Sequence, residues 1–244
     1  MAAESDPILE ARGVGRRFGG LKAVDGVDLK VMPGEVLGIV GPNGAGKTTL
    51  FSLLSGVLSP SAGEIYLTGT RVTRLAPHER ARMGLGRTFQ IVKPFESMTV
   101  AENVAVCAMC HERSRRDAEL AGYEVLERLG LAERAHLRAS SLTLAQRKRL
   151  EVARALALRP KVLLLDEVMA GLNPTETDEA IKSIAELSSD GITVVLIEHN
   201  LRVVRGLCAR MLVLDHGQQI AEGRPEEVLA DERVVEAYLG SKQR

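Results

Sequence analysis

The fold of this chain is decided by the stretch Gly41-Pro42-Asn43-Gly44-Ala45-Gly46-Lys47-Thr48. It follows a short apolar run rich in valine and isoleucine, residues 36–40, and precedes an apolar segment expected to be helical, residues 49–58. This context is what a phosphate-binding loop requires. The glycines let backbone N–H groups turn toward phosphate oxygens, and the helix N-terminus adds the positive end of its dipole. The sequence therefore predicts a site for a nucleoside triphosphate.

The residue types in this loop indicate how such a ligand would be held. Lys47 is expected to reach the β- and γ-phosphates, and the Thr48 hydroxyl is expected to ligate magnesium. We assign nucleotide contacts to every residue of the loop and to Thr49 at the start of the helix. The expected ligands are thus ATP and Mg²⁺.

Two carboxylates and a histidine follow other apolar runs. Asp166 and Glu167 come directly after residues 162–165, and His199 comes shortly after residues 193–197. In open α/β sheets, ligands bind at the carboxyl ends of the strands. Asp166 suits magnesium, directly or through water, and Glu167 suits orienting or deprotonating the attacking water. His199 is placed to touch the γ-phosphate, although a lone histidine after a strand is more often structural or simply exposed.

The remaining pattern predicts a doubly wound α/β core with a smaller outer sheet. Continuous apolar runs at 36–40, 162–165, 193–197 and 211–214 are typical of buried parallel strands. The alternation at 27–31, with 8–14 and 64–67, favours an antiparallel outer sheet. Capping signals predict helices from Thr99, Thr143 and Asn173, and a further helix over 117–129. Residues 91–141 show no convincing strand and are predicted to be a helical insertion.

Composition limits the functional classes. Lysine plus arginine and aspartate plus glutamate number 32 each, so no overall charge favours nucleic acid or an anionic membrane. Aromatic residues make up only 3%, which disfavours a single-strand-binding surface. Residues 1–7 lack the features of an export signal, and no apolar run is long enough to cross a bilayer, so we expect a cytosolic protein with reduced cysteines. Cys107 to His111 matches the spacing of a haem-attachment motif, but this short pattern on a predicted helix is more simply a chance match.

The order of these motifs resembles the ATP-binding cassette ATPases over nearly the whole chain. The resemblance implies a phosphate-loop core with a mainly parallel sheet, an antiparallel β subdomain and a helical subdomain, with residues 6–244 as the domain and 91–141 as its helical insertion. It implies that Gln90 senses magnesium and the permease, and that Phe18 stacks on adenine. Asn173 matches the loop that reaches across a dimer in which two cassettes enclose two ATP molecules.

Finer matches resemble the branched-chain amino-acid uptake branch of bacterial importers. They are residues 86–90, 170–174 and 234–240. That branch also carries urea and other polar solutes, so the substrate stays open. The resemblance implies integral membrane permease subunits, a second cassette ATPase and, indirectly, a solute-binding protein as partners, with no nucleic acid. It implies a peripheral position on the cytoplasmic face of the membrane.

This sequence departs from the family in two places. The family signature Leu-Ser-Gly-Gly-Gln reads Leu142-Thr143-Leu144-Ala145-Gln146 here. Thr143 and Gln146 can still form a capping box whose free N–H groups would face the partner's ATP. Leu144 and Ala145 replace glycines and are expected to weaken that contact, which predicts an asymmetric pair of sites. Val168 stands where the family usually has proline, which affects loop rigidity alone.

Three other functional classes compete with a transport ATPase. A soluble cassette acting on ribosomes or DNA would usually carry two cassettes or a long coiled-coil insertion, and this sequence has neither. A nucleotide-binding switch with weak hydrolysis is favoured by the altered signature. A phosphate-loop kinase would leave Gln90, the altered signature Leu142 to Gln146 and His199 without a role. Export cassettes for lipids share the same core, so the direction of transport rests on the resemblance alone.

Overall fold

We describe a computed structural model of the chain, which covers residues 6–90 and 93–240, with no side-chain description for residues 239 and 240. Residues 1–5, 91, 92 and 241–244 lie outside the described part. The predictions for the N-terminal segment, for the start of the helical insertion at Ile91 and for the end of the domain therefore fall partly outside it.

The described residues form ten strands and nine α-helices. The strands are β1 (Leu9–Phe18), β2 (Leu21–Val31), β3 (Val36–Val40), β4 (Ala62–Leu67), β5 (Thr70–Arg71), β6 (Leu85–Arg87), β7 (Val162–Asp166), β8 (Thr193–Ile197), β9 (Arg210–Asp215) and β10 (Gln218–Gly223). The helices are α1 (Lys47–Leu54), α2 (Pro77–Arg82), α3 (Val100–Ala108), α4 (Arg115–Arg128), α5 (Leu144–Leu156), α6 (Pro174–Ser189), α7 (Leu201–Leu207), α8 (Pro225–Val228) and α9 (Glu232–Gly240).

The strands form the two sheets that the sequence predicts. An antiparallel sheet has the order β2-β1-β4-β5, and a larger sheet has the order β10-β9-β3-β8-β7-β6. All pairs of the larger sheet are parallel except the β9–β10 hairpin at its edge. The central strands β3, β7 and β8 are buried along their whole length, which explains their continuous apolar sequences.

Helix caps appear where the sequence predicts them. Thr99, Thr143 and Asn173 each accept a hydrogen bond from the N–H three residues on, and each is completed into a capping box. Helix α4 begins earlier than predicted, because the Ser114 hydroxyl accepts from the Asp117 N–H. Strands β5, β6 and β10 and helices α2, α7, α8 and α9 are absent from the prediction. Strand β6 spans only three residues, and β10 is only partly buried, so neither carries a strong apolar signal.

Two apolar cores lie on either side of the larger sheet. One fills the space between that sheet, the antiparallel sheet and α1, and includes Leu50, Phe51 and Leu54. The other lies under α3 to α7 and includes Leu126, Leu150 and Ile184. No helix within residues 6–90 and 93–240 is both long and apolar enough to cross a membrane.

The sheet order determines where the predicted site residues meet. Strands β3, β8, β7 and β6 are neighbours and run parallel, so their carboxyl ends lie along one edge. The phosphate loop follows β3, His199 follows β8, Asp166 and Glu167 end β7, and Gln90 follows β6. The topology therefore places all four motifs at the same edge of the sheet.

Candidate active site

The phosphate loop has a backbone that only glycine accommodates at two positions. Gly41 and Gly46 have φ angles of 145° and 101°. A Cβ at Gly41 would lie 2.0 Å from the Leu214 carbonyl oxygen, and one at Gly46 would lie 2.3 Å from that of Ala23. Both distances are far below any contact between real atoms, so the loop packs directly against the main chain of β9 and β2.

Lys47 lies over the loop as the first residue of α1. Its ammonium donates to the carbonyl oxygens of Gly41 at 2.7 Å and Pro42 at 2.9 Å. Burial lowers the pKa of Lys47, while the nearby carboxylates of Glu167 and Asp166 oppose that change. The helix begins after Gly46 without a side-chain cap or an acidic residue in its first turn. Its first N–H groups are therefore available to an anion.

A cavity of about 510 Å³ opens in front of the loop. Most of the predicted site residues contribute to it, together with some that the sequence did not indicate. Its walls are formed by Phe18, Leu21, Lys22, Ala23, Asn43, Gly44, Ala45, Gly46, Lys47, Thr48, Thr49, Gln90, Glu167, His199 and His216. Phe18 is 44% exposed, and the Arg16 guanidinium lies 4.9 Å from its ring centre.

Gly41, Pro42, Asp166, Thr143 and Gln146 were also predicted as site residues but do not line this cavity. Gly41 and Pro42 instead hold Lys47 through their carbonyl oxygens. Asp166 lies behind Glu167, in a small crevice with Phe89 and Gln90.

Asp166 is held in a buried polar network. Its backbone N–H donates to the Thr88 hydroxyl at 3.0 Å, and its Oδ2 accepts from Arg87 Nη2 at 3.3 Å. Burial raises the pKa of Asp166, and the Arg87 guanidinium counteracts that rise. The other oxygen, Oδ1, is buried and has no hydrogen-bond partner. A buried carboxylate oxygen with a free lone pair is suited to a cation or to a water bound to one.

Glu167 stands between two polar side chains at the mouth of the cavity. His199 Nε2 lies 2.7 Å from its Oε1, and Gln90 Nε2 donates to its Oε2 at 3.1 Å. The structure therefore brings together three residues that lie 77 and 32 positions apart in sequence. The backbone of Glu167 is left-handed, with a φ of 49°. Such a conformation in a residue other than glycine is costly and is frequent at functional sites.

Several residues around the site were not identified from the sequence. Arg87 and Thr88 fix Asp166, although the sequence marks their segment only through its resemblance to the importer branch. Lys148 donates to the main-chain oxygens of Glu167 and Ala170 at 2.9 and 2.6 Å, while Glu198 accepts from the Met169 N–H at 3.1 Å. Glu198 directly follows the apolar run at 193–197, a signal that could have indicated it, whereas Lys148 lies between Arg147 and Arg149 and has no such signal.

The altered signature segment begins α5 and forms the predicted capping box. The Thr143 N–H donates to Gln146 Oε1 at 3.0 Å, and the Gln146 N–H donates to Thr143 Oγ1 at 3.4 Å. Leu144 is 52% exposed, as expected for a side chain at the free end of a helix. The expectation for Ala145 needs correction. Ala145 is only 7% exposed and faces a crevice with Val168 and Leu172, so its methyl group does not project outward.

Comparison with known proteins agrees with this geometry. The family model described as "ABC transporter" matches residues 24–170, and the one described as "Branched-chain amino acid ATP-binding cassette transporter" matches residues 218–242. The chain is 42% identical to the high-affinity branched-chain amino acid transport ATP-binding protein BraF of Pseudomonas aeruginosa. That match covers 97% of this chain and 99% of BraF. It is 36% identical to the lipopolysaccharide export system ATP-binding protein LptB of Acidithiobacillus ferridurans, with 96% of each chain covered.

Solved structures show the same fold. A nucleotide-free ATP-binding cassette from an ABC transporter superimposes with a TM-score of 0.88 at 33% identity, covering 95% of this chain and 98% of that one. The ADP conformation of an ATP-binding cassette of an ABC transporter gives a TM-score of 0.88 at 34% identity, covering 97% and 100%. The chain belongs to the ABC transporter family, and it is an ATP-binding cassette that hydrolyses ATP to energise membrane transport.

Proposed function

We propose that this cassette energises an importer for branched-chain amino acids. Support comes from BraF and from the LivG protein of Escherichia coli K12, which are 42% and 40% identical to this chain over nearly their whole lengths. The family model over residues 218–242 carries the same description. LptB is less similar and is named for export, so the comparisons favour uptake.

The observation that carries the enzymatic part is the position of Glu167. Its carboxylate lies at the same cavity as Lys47 and Thr48, and it is contacted by both Gln90 and His199. A carboxylate oriented from two sides is suited to orient or deprotonate the water that attacks the γ-phosphate. Lys47 would then neutralise phosphate charge, and His199 would contact the γ-phosphate. Phe18 would stack on the adenine ring at the outer end of the cavity.

The residues present also fit a magnesium ion. Magnesium in such sites is held by one or two protein oxygens together with substrate phosphates and water. Within residues 6–90 and 93–240, no three His, Cys, Asp or Glu side chains form a metal-binding group. Asp166 offers the unpartnered Oδ1, Thr48 lines the cavity, and Gln90 lies beside Glu167. A bound ion would neutralise charge that develops on the phosphates.

The chain would work at the cytoplasmic face of the membrane with partners. We propose that residues 6–244 form one cassette, with residues 91–141 as a helical subdomain that docks integral permease subunits near Gln90 to Pro94. Ile91 and Val92 of that segment lie outside the described residues. A second cassette would receive Thr143 and Gln146 against its own ATP, and a solute-binding protein would deliver the substrate to the permease.

The substitution Glu167→Gln tests this function, because the amide keeps the shape but loses the base. In the purified transporter complex we expect ATP hydrolysis to fall at least ~100-fold while ATP binding persists. Cells that depend on this system should also lose uptake of labelled leucine. The control is Glu186→Gln, an exposed carboxylate on α6, which should leave both measurements unchanged. Equal and negligible hydrolysis by the native complex and by Glu167→Gln would instead identify a nucleotide-binding switch.

A further inference from the structure

One face of α5 contacts the loop that carries Glu167 in the same chain. Leu144 and Lys148 are four residues apart and therefore lie on the same side of the helix. Lys148 donates to the carbonyl oxygens of Glu167 and Ala170 at 2.9 and 2.6 Å. Leu144 reaches the other end of this loop, where its Cδ2 would lie 3.3 Å from a Cβ at Gly171. The helix that begins with the signature segment is thus tied to residues 167–171.

The main chain at Glu167 is held in an unfavourable conformation by three hydrogen bonds. Its N–H donates to the Ile197 carbonyl oxygen at 3.1 Å, and its own carbonyl oxygen accepts from the Ala170 N–H at 3.2 Å. The bond from Lys148 to the same carbonyl oxygen comes from a charged donor and is therefore the strongest type of the three. A left-handed residue persists only when its surroundings enforce that conformation. Without Lys148, the carbonyl of Glu167 retains only a contact within its own turn.

Lysine is almost never fully buried in proteins unless its charge has a partner. The buried position of Lys148 therefore indicates a specific role. The residue is 9% exposed, and desolvation lowers its pKa although the carboxylates of Glu198 and Glu167 oppose the change. Its ammonium donates to two main-chain oxygens of a single loop. Glu198, which follows β8, holds the same loop through the Met169 N–H. Lys148 on α5 and Glu198 after β8 therefore both hold residues 167–170 through hydrogen bonds to the main chain.

We propose that Lys148 is a positioning residue for hydrolysis: it holds the main chain of Glu167 in its left-handed conformation and ties the carboxylate to helix α5. This inference rests on the catalytic role proposed for Glu167. It goes further by linking the helix that starts at Thr143, which faces the partner cassette in the proposed assembly, to the carboxylate of the chain's own site. Movement of α5 would therefore shift the main chain of Glu167 through the Lys148 side chain.

The test compares Lys148→Met, which keeps the apolar stem, with Lys148→Arg, which keeps the charged donor. In the purified transporter complex, Lys148→Met should lower kcat about tenfold or more, because small misplacements of a reacting group cost that much. The KM for ATP should stay within about twofold, since Lys148 does not line the nucleotide cavity. Lys148→Arg should restore most of kcat. Arg149→Met is the matched control, because Arg149 is the next cation on α5 but pairs with Glu179 on α6.

Hydrogen exchange in the isolated full-length chain gives a readout that does not depend on turnover. The Ala170 amide, which donates to the Glu167 carbonyl, should exchange faster in Lys148→Met than in the wild type and in Arg149→Met. If Lys148→Met does not fold, Lys148→Gln, which retains a neutral donor, takes its place.

The proposal is overturned if Lys148→Met keeps the wild-type kcat, or if kcat falls without faster exchange at Ala170 and without recovery in Lys148→Arg. Glu167→Gln in the same preparation separates this failure from failure of the proposed function. An inactive Glu167→Gln beside a fully active Lys148→Met contradicts the positioning role alone. An active Glu167→Gln contradicts the catalytic assignment on which that role depends.

Discussion

At the scale of single residues, two glycines of the phosphate loop differ in why they are glycines. Gly44 and Gly46 both have positive φ angles, 82° and 101°. A Cβ at Gly44 would meet no atom within 4 Å, whereas one at Gly46 would lie 2.3 Å from the Ala23 carbonyl oxygen. Glycine is thus required at position 44 only because the backbone there is left-handed. At position 46 it is also required because the loop packs closely against β2.

This difference predicts unequal effects of alanine on stability. Gly44→Ala should lower the free energy of unfolding by about 1 kcal/mol, the cost of left-handed backbone in alanine. Gly46→Ala must also displace the main chain of β2, so we expect a loss of about 3 kcal/mol or more. Urea unfolding of the nucleotide-free chain measures both. Equal losses for the two variants would show that the contact with Ala23 does not constrain the loop.

At the scale of elements, helix α1 is held at its C-terminal end by a buried arginine of α2. Arg80 of α2 is 1% exposed and donates to the carbonyl oxygens of Leu53 and Leu54, both at 2.7 Å. It also donates to the carbonyl oxygens of Leu75 and Thr73. Burial lowers the pKa of Arg80 to about 10, so the side chain is still a cation at neutral pH. A cation at the C-terminal end of a helix is favourable, because carbonyl groups there lack partners.

Removing this anchor should destabilise the element that carries the phosphate loop. Arg80→Met removes a donor from four carbonyl oxygens, of which that of Leu53 still accepts from the Gly56 N–H, and we expect a loss of about 3 kcal/mol in the free energy of unfolding. Burying a guanidinium also has a cost, which the methionine would remove, so the net loss stays below the sum of four hydrogen bonds. Arg82→Met is the control on the same helix, since Arg82 is exposed. Thermal unfolding that leaves Arg80→Met within about 0.5 kcal/mol of Arg82→Met would contradict the anchoring role.

At the scale of the whole molecule, the sequence predicts those strands and helices that carry a strong local signal. The buried strands and the helices that begin after Thr99, Thr143 and Asn173 are predicted, because apolar runs and capping residues mark them directly. Helix α7 is not predicted, although Asn200 caps it. Lys148 and Arg80 were not predicted, because their roles depend on carbonyl oxygens that tertiary packing brings near. The edge strands β6 and β10 were missed for a related reason, since pairing with β7 and β9 creates them rather than their own composition.

The structure also changes what the altered signature segment implies for a cassette pair. Leu144 is exposed and leans toward Gly171, whereas the Ala145 methyl is buried beside Val168. Leu144 alone is therefore placed to hinder approach of a second copy to this helix end. The predicted asymmetry between two ATP sites should depend on Leu144 and very little on Ala145.

The two positions can be separated by measuring ATP-dependent dimerisation of the chain itself. In a Glu167→Gln background, which is expected to retain ATP, Leu144→Gly should increase the dimer fraction seen by analytical ultracentrifugation, because removing the side chain opens the helix end to phosphate. Ala145→Gly should leave the dimer fraction unchanged and lower the free energy of unfolding by about 1 kcal/mol, the cost of glycine in a helix. If Ala145→Gly promotes the dimer and Leu144→Gly does not, the buried methyl group governs the interface and the assignment to Leu144 is wrong.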